Sequence, residues 1–337
     1  MMSTKLDPDP GTLTQTVATQ MRSDGQGAWR ARIILLAPIA ALVVLIIVFS
    51  LASPVFFTME NLQNLVRQMA VLLVVALGAT FVVLIGSIDL SIGSIVTLTG
   101  VSTAMFVAAL GPWGAALGFA VGVACGLVNG LVHVYLKVPS FIVTLGTMFV
   151  FAGVALIISG GRPQALRSPE LSAIFGGTIF GIPLISLWAL VALVIAVAIE
   201  KKLVFGYRAK AVGDAETVAK LSGINVDRVK VAVFALSGLF AAFAGLLLMI
   251  RTNSASGSMG EPLLMEALAA ILLGGTSLMG GVGGPARTIL GVLVISVLSN
   301  GMNLASVDPF VQQTITGVVL IAAVALTLNR KELSSVK

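Results

Sequence analysis

Apolar residues gather along this chain into long uninterrupted stretches, at about 33–51, 69–86, 92–110, 113–135, 140–158, 184–199, 231–250, 263–279, 287–304 and 310–328. Lipid tolerates no unpaired backbone groups, and stretches of roughly 17–20 residues suit spanning helices rather than barrel strands. The pattern predicts an all-α membrane protein of about ten transmembrane helices within residues 33–328. Residues 1–32 are polar, with Asp7, Pro8, Asp9, Pro10 and Asp24, and read as a flexible cytoplasmic tail; 329–337 read as a short cytoplasmic C-terminal tail. Ser50-Leu51-Ala52 resembles a signal cleavage site. The polar region before it and the apolar run are both too long for a signal peptide, so an uncleaved first span is expected.

Charge sets the orientation. With ten spans both termini share a side. Placing the N-terminus inside puts sixteen of the 20 basic residues inside and leaves only Arg67, Arg162, Arg167 and Arg251 outside. Basic residues gather on the cytoplasmic side, so the expectation is N-in, C-in. Composition agrees with a lipid solvent: 58% of residues are hydrophobic and 10% charged, against about 25% charged in soluble domains. A single cysteine, Cys125, excludes a disulfide framework, and a single histidine, His133, excludes any two-histidine site. No Gly-Lys pair occurs, so the phosphate-binding loop that such a pair closes is missing and ATP hydrolysis by this chain is not expected. An intramembrane enzyme would need catalytic pairs that the chain lacks.

Two stretches interrupt the apolar pattern. The second and third spans meet at Gly-Ser-Ile-Asp-Leu-Ser-Ile-Gly-Ser (86–94), which sets Asp89 among apolar residues. A carboxylate at membrane depth costs about 3 kcal/mol on insertion scales, so Asp89 is either functional or paired. Equally, Asp89 and Ser91 could cap a helix start, and a broken helix end can itself line a cavity. In the second half, Leu-Gly-Gly-Thr-Ser-Leu-Met-Gly-Gly-Val-Gly-Gly-Pro (273–285) lies between an inward-running and an outward-running span. Spans one to four and seven to ten thus read as a two-fold internal repeat, and matched glycine-interrupted segments point to a transport path. The candidate path residues are Ser87, Asp89, Ser91, Asn129, Thr144, Gly274, Gly275, Thr276, Ser277 and Asn300, with Thr147, Glu266, Asn303, Gln312 and Gln313 as further polar positions. Hydroxyls and amides offer donors and acceptors without fixed charge, which suits a neutral polyhydroxy solute. Buried charge is too scarce for a proton-coupled pump. Residues 281–286 look superficially like a dinucleotide-binding turn, but no strand precedes them. Gly114, Gly118, Gly122, Gly126 and Gly130 recur every fourth residue, a spacing for close helix packing or for a narrow passage.

Two loops stand out. Residues 159–183 read as an external, surface-lying excursion, and 200–230 as an internal loop holding seven of the sixteen inner basic residues. Within it, 214–222 reads as a short helix with Asp214 as N-cap and Gly223 as stop. Val218, Leu221 and Ile224 give it an apolar face, and Glu216 and Lys220 an i,i+4 pair.

Five segments together resemble the permease subunits of bacterial ribose-type ABC importers. They are 86–94, Val-Pro-Ser-Phe-Ile-Val-Thr-Leu-Gly-Thr-Met (138–148), Ala-Val-Gly-Asp-Ala-Glu-Thr-Val-Ala-Lys-Leu-Ser-Gly-Ile-Asn-Val (211–226), Met-Glu-Ala-Leu-Ala-Ala-Ile-Leu-Leu-Gly-Gly-Thr-Ser-Leu (265–278) and Asn-Gly-Met-Asn-Leu (300–304). Ser87 stands where a second glycine is commoner in that family, and Glu266 where aspartate is common. The resemblance implies a non-catalytic transport subunit for a sugar or polyol, a homodimeric or paired permease, a periplasmic solute-binding protein and a cytoplasmic tandem ATPase that binds ATP and magnesium. It implies no cofactor, metal or nucleic acid for this chain itself. It also implies that Gly213, Asp214, Glu216, Val218, Lys220, Leu221 and Gly223 belong to the element that couples to the ATPase. The alternatives are a branched-chain amino-acid permease of the same ABC class and a self-contained secondary transporter.

Overall fold

The computed structural model describes residues 36–327, so both predicted tails and the first three residues of the first apolar stretch lie outside the described residues. A helix lies at every predicted apolar stretch: α1 (Leu36–Ala52), α2 (Met59–Leu84), α3 (Ile92–Leu110), α4 (Gly114–Tyr135) and α5 (Ser140–Ser159) in the first half. After a helical turn, α6 (Pro169–Leu171), come α7 (Leu184–Lys202), α8 (Val204–Asp214), α9 (Glu216–Leu221), α10 (Val226–Thr252), α11 (Glu261–Leu273), α12 (Pro285–Leu304) and α13 (Pro309–Thr327). Among the described residues, six helical stretches are long and apolar enough to cross a membrane by length and composition. One of them, Ile92–Tyr135, contains α3, a single 3-10 turn at Gly111–Trp113, and α4.

That 44-residue stretch is folded back on itself. A β-carbon at Gly114 would strike Phe106, one at Gly118 would strike Thr103, and one at Gly122 would lie 3.1 Å from Thr99. Numbers rise along α4 as they fall along α3, so the two helices form an antiparallel hairpin. The other partner of α4 is α10: Gly122 faces Gly238 and Ala242, Gly126 faces Phe234, and Gly130 faces Val231. The four-residue glycine spacing is therefore packing, with backbones close on two sides, and leaves no passage along that face.

Helices α2 and α10 are the centre of the bundle. In each, 78% of the most apolar window is buried, against 22% for α5 and 28% for α7 at the periphery. A helix apolar all round needs neighbours all round, and α2 finds them in α7, α10, α11 and α12. Two-residue strands pin the excursion between α5 and α7. β1 (Gln164–Ala165) pairs antiparallel with β4 (Ser254–Ala255) beyond α10, and β2 (Thr178–Ile179) makes a hairpin with β3 (Ile182–Pro183). The hairpin is tied to α2 by Gln63, whose Nε2 donates to the Gly181 carbonyl at 3.0 Å.

Several boundaries differ from the pattern, each for a local reason. Helix α2 begins ten residues before the predicted 69, because Thr58 caps it (its Oγ1 accepts from the Asn61 N–H) and the first turns are polar. Helix α10 begins at Val226 rather than 231, capped by Asn225 Oδ1 accepting from the Arg228 N–H at 3.0 Å. Helix α11 stops at Leu273 rather than 279. Its 13 residues give about 20 Å, short of a bilayer core of about 30 Å.

The charged stretch 200–230 corrects two expectations. Asp214 is not an N-cap: it ends α8, and α9 starts at Glu216 after Ala215 with no side-chain cap. The two helices share the polar stretch because Ala215 turns into extended backbone (φ −155°) between them. Nor does Glu216 pair with Lys220; its Oε2 accepts from Lys230 Nζ at 2.8 Å, across to the start of α10. Gly223 does stop the helix. At φ +82° it carries a Schellman closure, with Gly223 N–H to the Lys220 carbonyl and Ile224 N–H to the Ala219 carbonyl, both 3.1 Å.

Candidate functional site

The first interruption, 85–91, is sewn into its surroundings by side chains. Asp89 is buried, and its Oδ1 accepts from the Ser91 N–H (2.9 Å) and the Ser91 hydroxyl (2.6 Å). Ser91 Oγ in turn accepts from Asn129 Nδ2 on α4 at 2.7 Å, and Asn129 Oδ1 accepts from the Thr147 hydroxyl on α5 at 2.7 Å. Ser237 Oγ on α10 reaches Asp89 Oδ2 at 3.5 Å. Thr144 Oγ1 accepts from the Leu90 N–H, and Ser140 Oγ accepts from the Ile88 N–H. The sequence-derived Asp89, Ser91, Asn129 and Thr144 thus form one buried network spanning α3, α4 and α5. Asp89 bonds the N–H of the residue that opens α3, which is a local turn rather than a direct cap of the helix.

The second interruption, 274–284, is held mainly by backbone. Thr276 is buried and its Oγ1 accepts from the Gly284 N–H at 3.3 Å. Ser277 N–H donates to the Val282 carbonyl, and Gly281 N–H donates to the Leu84 carbonyl at the end of α2, at 2.9 Å. The two interruptions therefore touch: a β-carbon at Gly86 would lie 3.1 Å from the Met279 carbonyl. Ser87 is buried in the first interruption; Gly274 and Gly275, half-buried, open the second.

Asn300 lies elsewhere, at the opposite ends of the same helices. It exchanges two amide bonds with Asn61, Nδ2 to Oδ1 at 2.9 Å and 3.1 Å, and both residues are buried. The pair lines a cavity of about 380 Å³ between the start of α2 and the ends of α10 and α12, together with Asn64, Gln68, Asn303 and Arg251. A second hollow of about 210 Å³ adjoins it, adding Glu266, Ser299 and Gln312, and a third of about 160 Å³ extends past Arg67 toward Ser172. Arg251 lines all three. Asn61, Asn64 and Gln68 went unmarked in the sequence pattern because they precede the apolar run of α2. Their i, i+3, i+7 spacing on one helix face was the available signal.

In the 200–230 stretch, Val218 and Leu221 are exposed at 60% and 84%, while Ile224 turns back against the core. Gly213 and Asp214 meet the second interruption directly, at Gly281. Among the described residues no cluster of histidine, cysteine, aspartate and glutamate could hold a metal.

A helical bundle with broken spans, a polar hollow at one end and a short helix exposing Val218 and Leu221 at the other has the build of a multi-pass membrane permease. The comparisons place it more closely. The family model that matches residues 61–324 is described as the permease component of branched-chain amino acid transport systems, and the chain belongs to that family. It is 42% identical over 301 residues to the ribose import permease protein RbsC of Bacillus subtilis (strain 168), covering 88% of this chain and 93% of that one. It is 36% identical over 307 residues to the ribose import permease protein RbsC of Escherichia coli (strain K12), covering 87% and 92%. To the L-arabinose transport system permease protein AraH of the same strain it is 36% identical over 286 residues, covering 83% and 86%. No solved structure matches the chain.

Proposed function

We propose that this chain is the membrane subunit through which an ATP-driven importer passes a sugar or related polyol across the cytoplasmic membrane. The observation that carries the reading is the cavity of about 380 Å³ walled by the carboxamides of Asn61, Asn64, Gln68, Asn300 and Asn303, with Arg67 and Arg251 also in its wall. Carboxamides both donate and accept without charge, as a ring of hydroxyls requires, and the volume falls in the range of small-molecule sites, about 300–1,000 Å³. The relatives named for ribose and arabinose import favour a sugar over a branched-chain amino acid.

The topology follows from the same reading. The α3–α4 hairpin counts as two crossings, α11 with its interruption as one, and α1 and α13 complete ten, with both termini inside. The two touching interruptions then mark corresponding points of a two-fold repeat. Ser87, Asp89, Ser91, Asn129, Thr144 and Gly274 to Ser277 close the inner end of the path, and Asn300 lines its outer end. Catalysis belongs to a partner ATPase carrying ATP and magnesium. Val218 and Leu221 on α9 are the apolar pair that docks into it, as an amphipathic helix docks in a groove. A periplasmic solute-binding protein delivers the solute, and a second copy of this chain completes the path.

The test is uptake of radiolabelled D-ribose and L-arabinose by cells expressing the importer, normalised to inserted permease. Asn300→Leu strips one side of the amide pair and leaves Asn61 Oδ1 without its donor, while Asn61 Nδ2 keeps the Phe56 carbonyl, and should lower uptake about tenfold with insertion intact. Leu221→Asp should release the ATPase or silence solute-stimulated hydrolysis. Uptake unchanged in both variants, or uptake that persists without ATP, overturns the reading.

A further inference from the structure

Three backbones meet at one point on the inner side with no side chain between them. The Leu84 carbonyl ends α2 and accepts the Gly281 N–H at 2.9 Å. Gly213, in the last turn of α8, lies directly on that hydrogen bond: a β-carbon there would overlap the Leu84 carbonyl oxygen and come within 2.6 Å of the Gly281 nitrogen. Gly280 closes the figure, its own β-carbon position 2.7 Å from Gly86 N and 2.8 Å from the Gly213 carbonyl. Each of the three segments belongs to a different part of the machinery. Residues 84–86 lead into the first interruption, 280–281 lie in the second, and 213 is one residue short of the turn into α9.

A second tie joins the same parts. Lys210, one turn before Gly213 on α8, donates Nζ to Glu200 Oε1 at 2.6 Å. Glu200 is 3% exposed at the end of α7, and its Oε2 has no hydrogen-bond partner among the described residues. Its carboxylate lies against Gly284, where a β-carbon would be 3.0 Å from Oε2 and closer still to Oε1. Gly284 is the residue before the first turn of α12. A buried carboxylate with an unused oxygen is held there by Lys210 on one side and the positive end of α12 on the other.

We infer that the contact of Gly213 with Leu84 and Gly281, backed by the Lys210–Glu200 pair against Gly284, is the joint through which displacement of α8 and α9 moves both interrupted segments together. Backbone against backbone has no rotamers to absorb a displacement, so a shift of α8 passes on undamped. Gly213, Lys210 and Glu200 are positioning residues. They touch no solute, and they couple the docking helix to the inner end of the path. The inference rests on the reading of the chain as an ATP-driven permease, but its first test does not.

With the chain alone in lipid nanodiscs, amide hydrogen exchange is compared between wild type, Gly213→Ala and Lys210→Gln. Each variant should raise exchange by about fivefold across 275–284 and 85–91, and leave α5 and the outer cavity unchanged. Exchange changes confined to 204–223 overturn the joint. The importer is then assembled with its ATPase and solute-binding protein from both variants, and the one carrying Lys210→Gln should retain the ATPase subunit and its basal hydrolysis. Their ATP-driven uptake of labelled D-ribose should fall about tenfold. Glu200→Gln should behave as Lys210→Gln does, and the double variant should be no worse than either single one. Uptake per inserted molecule equal to wild type in Gly213→Ala and Lys210→Gln overturns the proposal, as do independent, additive losses at 200 and 210. Should Gly213→Ala fail to insert, the Lys210 and Glu200 variants decide by the same criteria. A wild-type importer that takes up neither sugar counts against the proposed function, and the nanodisc exchange still decides the joint.

Discussion

The two interrupted segments hold their course by opposite chemistry. Residues 85–91 leave the helical path with a single positive-φ glycine, Gly86, and are then fixed by side chains from three helices: Asn129, Ser140 and Thr144, and Ser237. Residues 274–284 have few such partners. Their path is set by five glycines at positive φ, namely 275, 280, 281, 283 and 284, and by backbone bonds. The first segment can lose one bond and keep its course, because several others hold it. The second has its conformation written into residues without a β-carbon, so a single side chain misdirects it. Rigidity by cross-linking and rigidity by conformational choice fail in different ways.

The largest effect should come from Gly284→Val. Its φ of +146° is closed to a β-branched residue, and the new side chain would collide with the Glu200 carboxylate. A cost of about 3 kcal/mol or more is expected, read as a fall in the thermal midpoint of the purified permease and in its inserted yield. A midpoint equal to wild type would erase the contrast between the segments. Asp89→Ala should cost less, about 1–3 kcal/mol, because it strands the buried Ser91 N–H. Asp89→Asn keeps an acceptor there and should recover most of the loss, which an apolar isostere would not. If alanine and asparagine are equally damaging, charge rather than bonding is what the segment needs. The smallest effect belongs to Thr147→Val, which removes the last link in the Asp89–Ser91–Asn129 chain and should cost about 1 kcal/mol. A loss as large as that of Asp89→Ala would mean that the network acts as one unit rather than as separate ties.

What the sequence made legible is what lipid enforces. Asp89, Asn129 and Thr144 stood out because polar groups in apolar runs are expensive, and the structure brings them within one network. The helices at the apolar stretches were legible for the same reason, and the stop at Gly223 because a positive φ selects glycine. The cavity at the Asn61–Asn300 pair was not, because Asn61, Asn64 and Gln68 sit where α2 emerges from the apolar run and look like loop. Arg251 was visible only as an outside charge. Glu216 chose Lys230 over Lys220 because α9 packs beside the start of α10, a tertiary fact that i,i+4 spacing cannot contain. Gly213 had no local signature of its own: its need for a bare α-carbon comes from Leu84 and Gly281, residues about 130 and 70 positions away.

The glycine face of α4 also sets a timetable. Its first partner, α3, is made immediately before it and joined by a three-residue turn, so that hairpin forms from neighbouring chain. Its second partner, α10, begins only at Val226. At bacterial synthesis rates of about 5–20 residues per second, the nascent chain spends roughly 5–20 s with half of that face open to lipid. A chain arrested or truncated before Val226 therefore carries a smooth, small-residue groove with no mate. Such a groove can pair with any other small-residue helix in the bilayer until α10 is made and covers it.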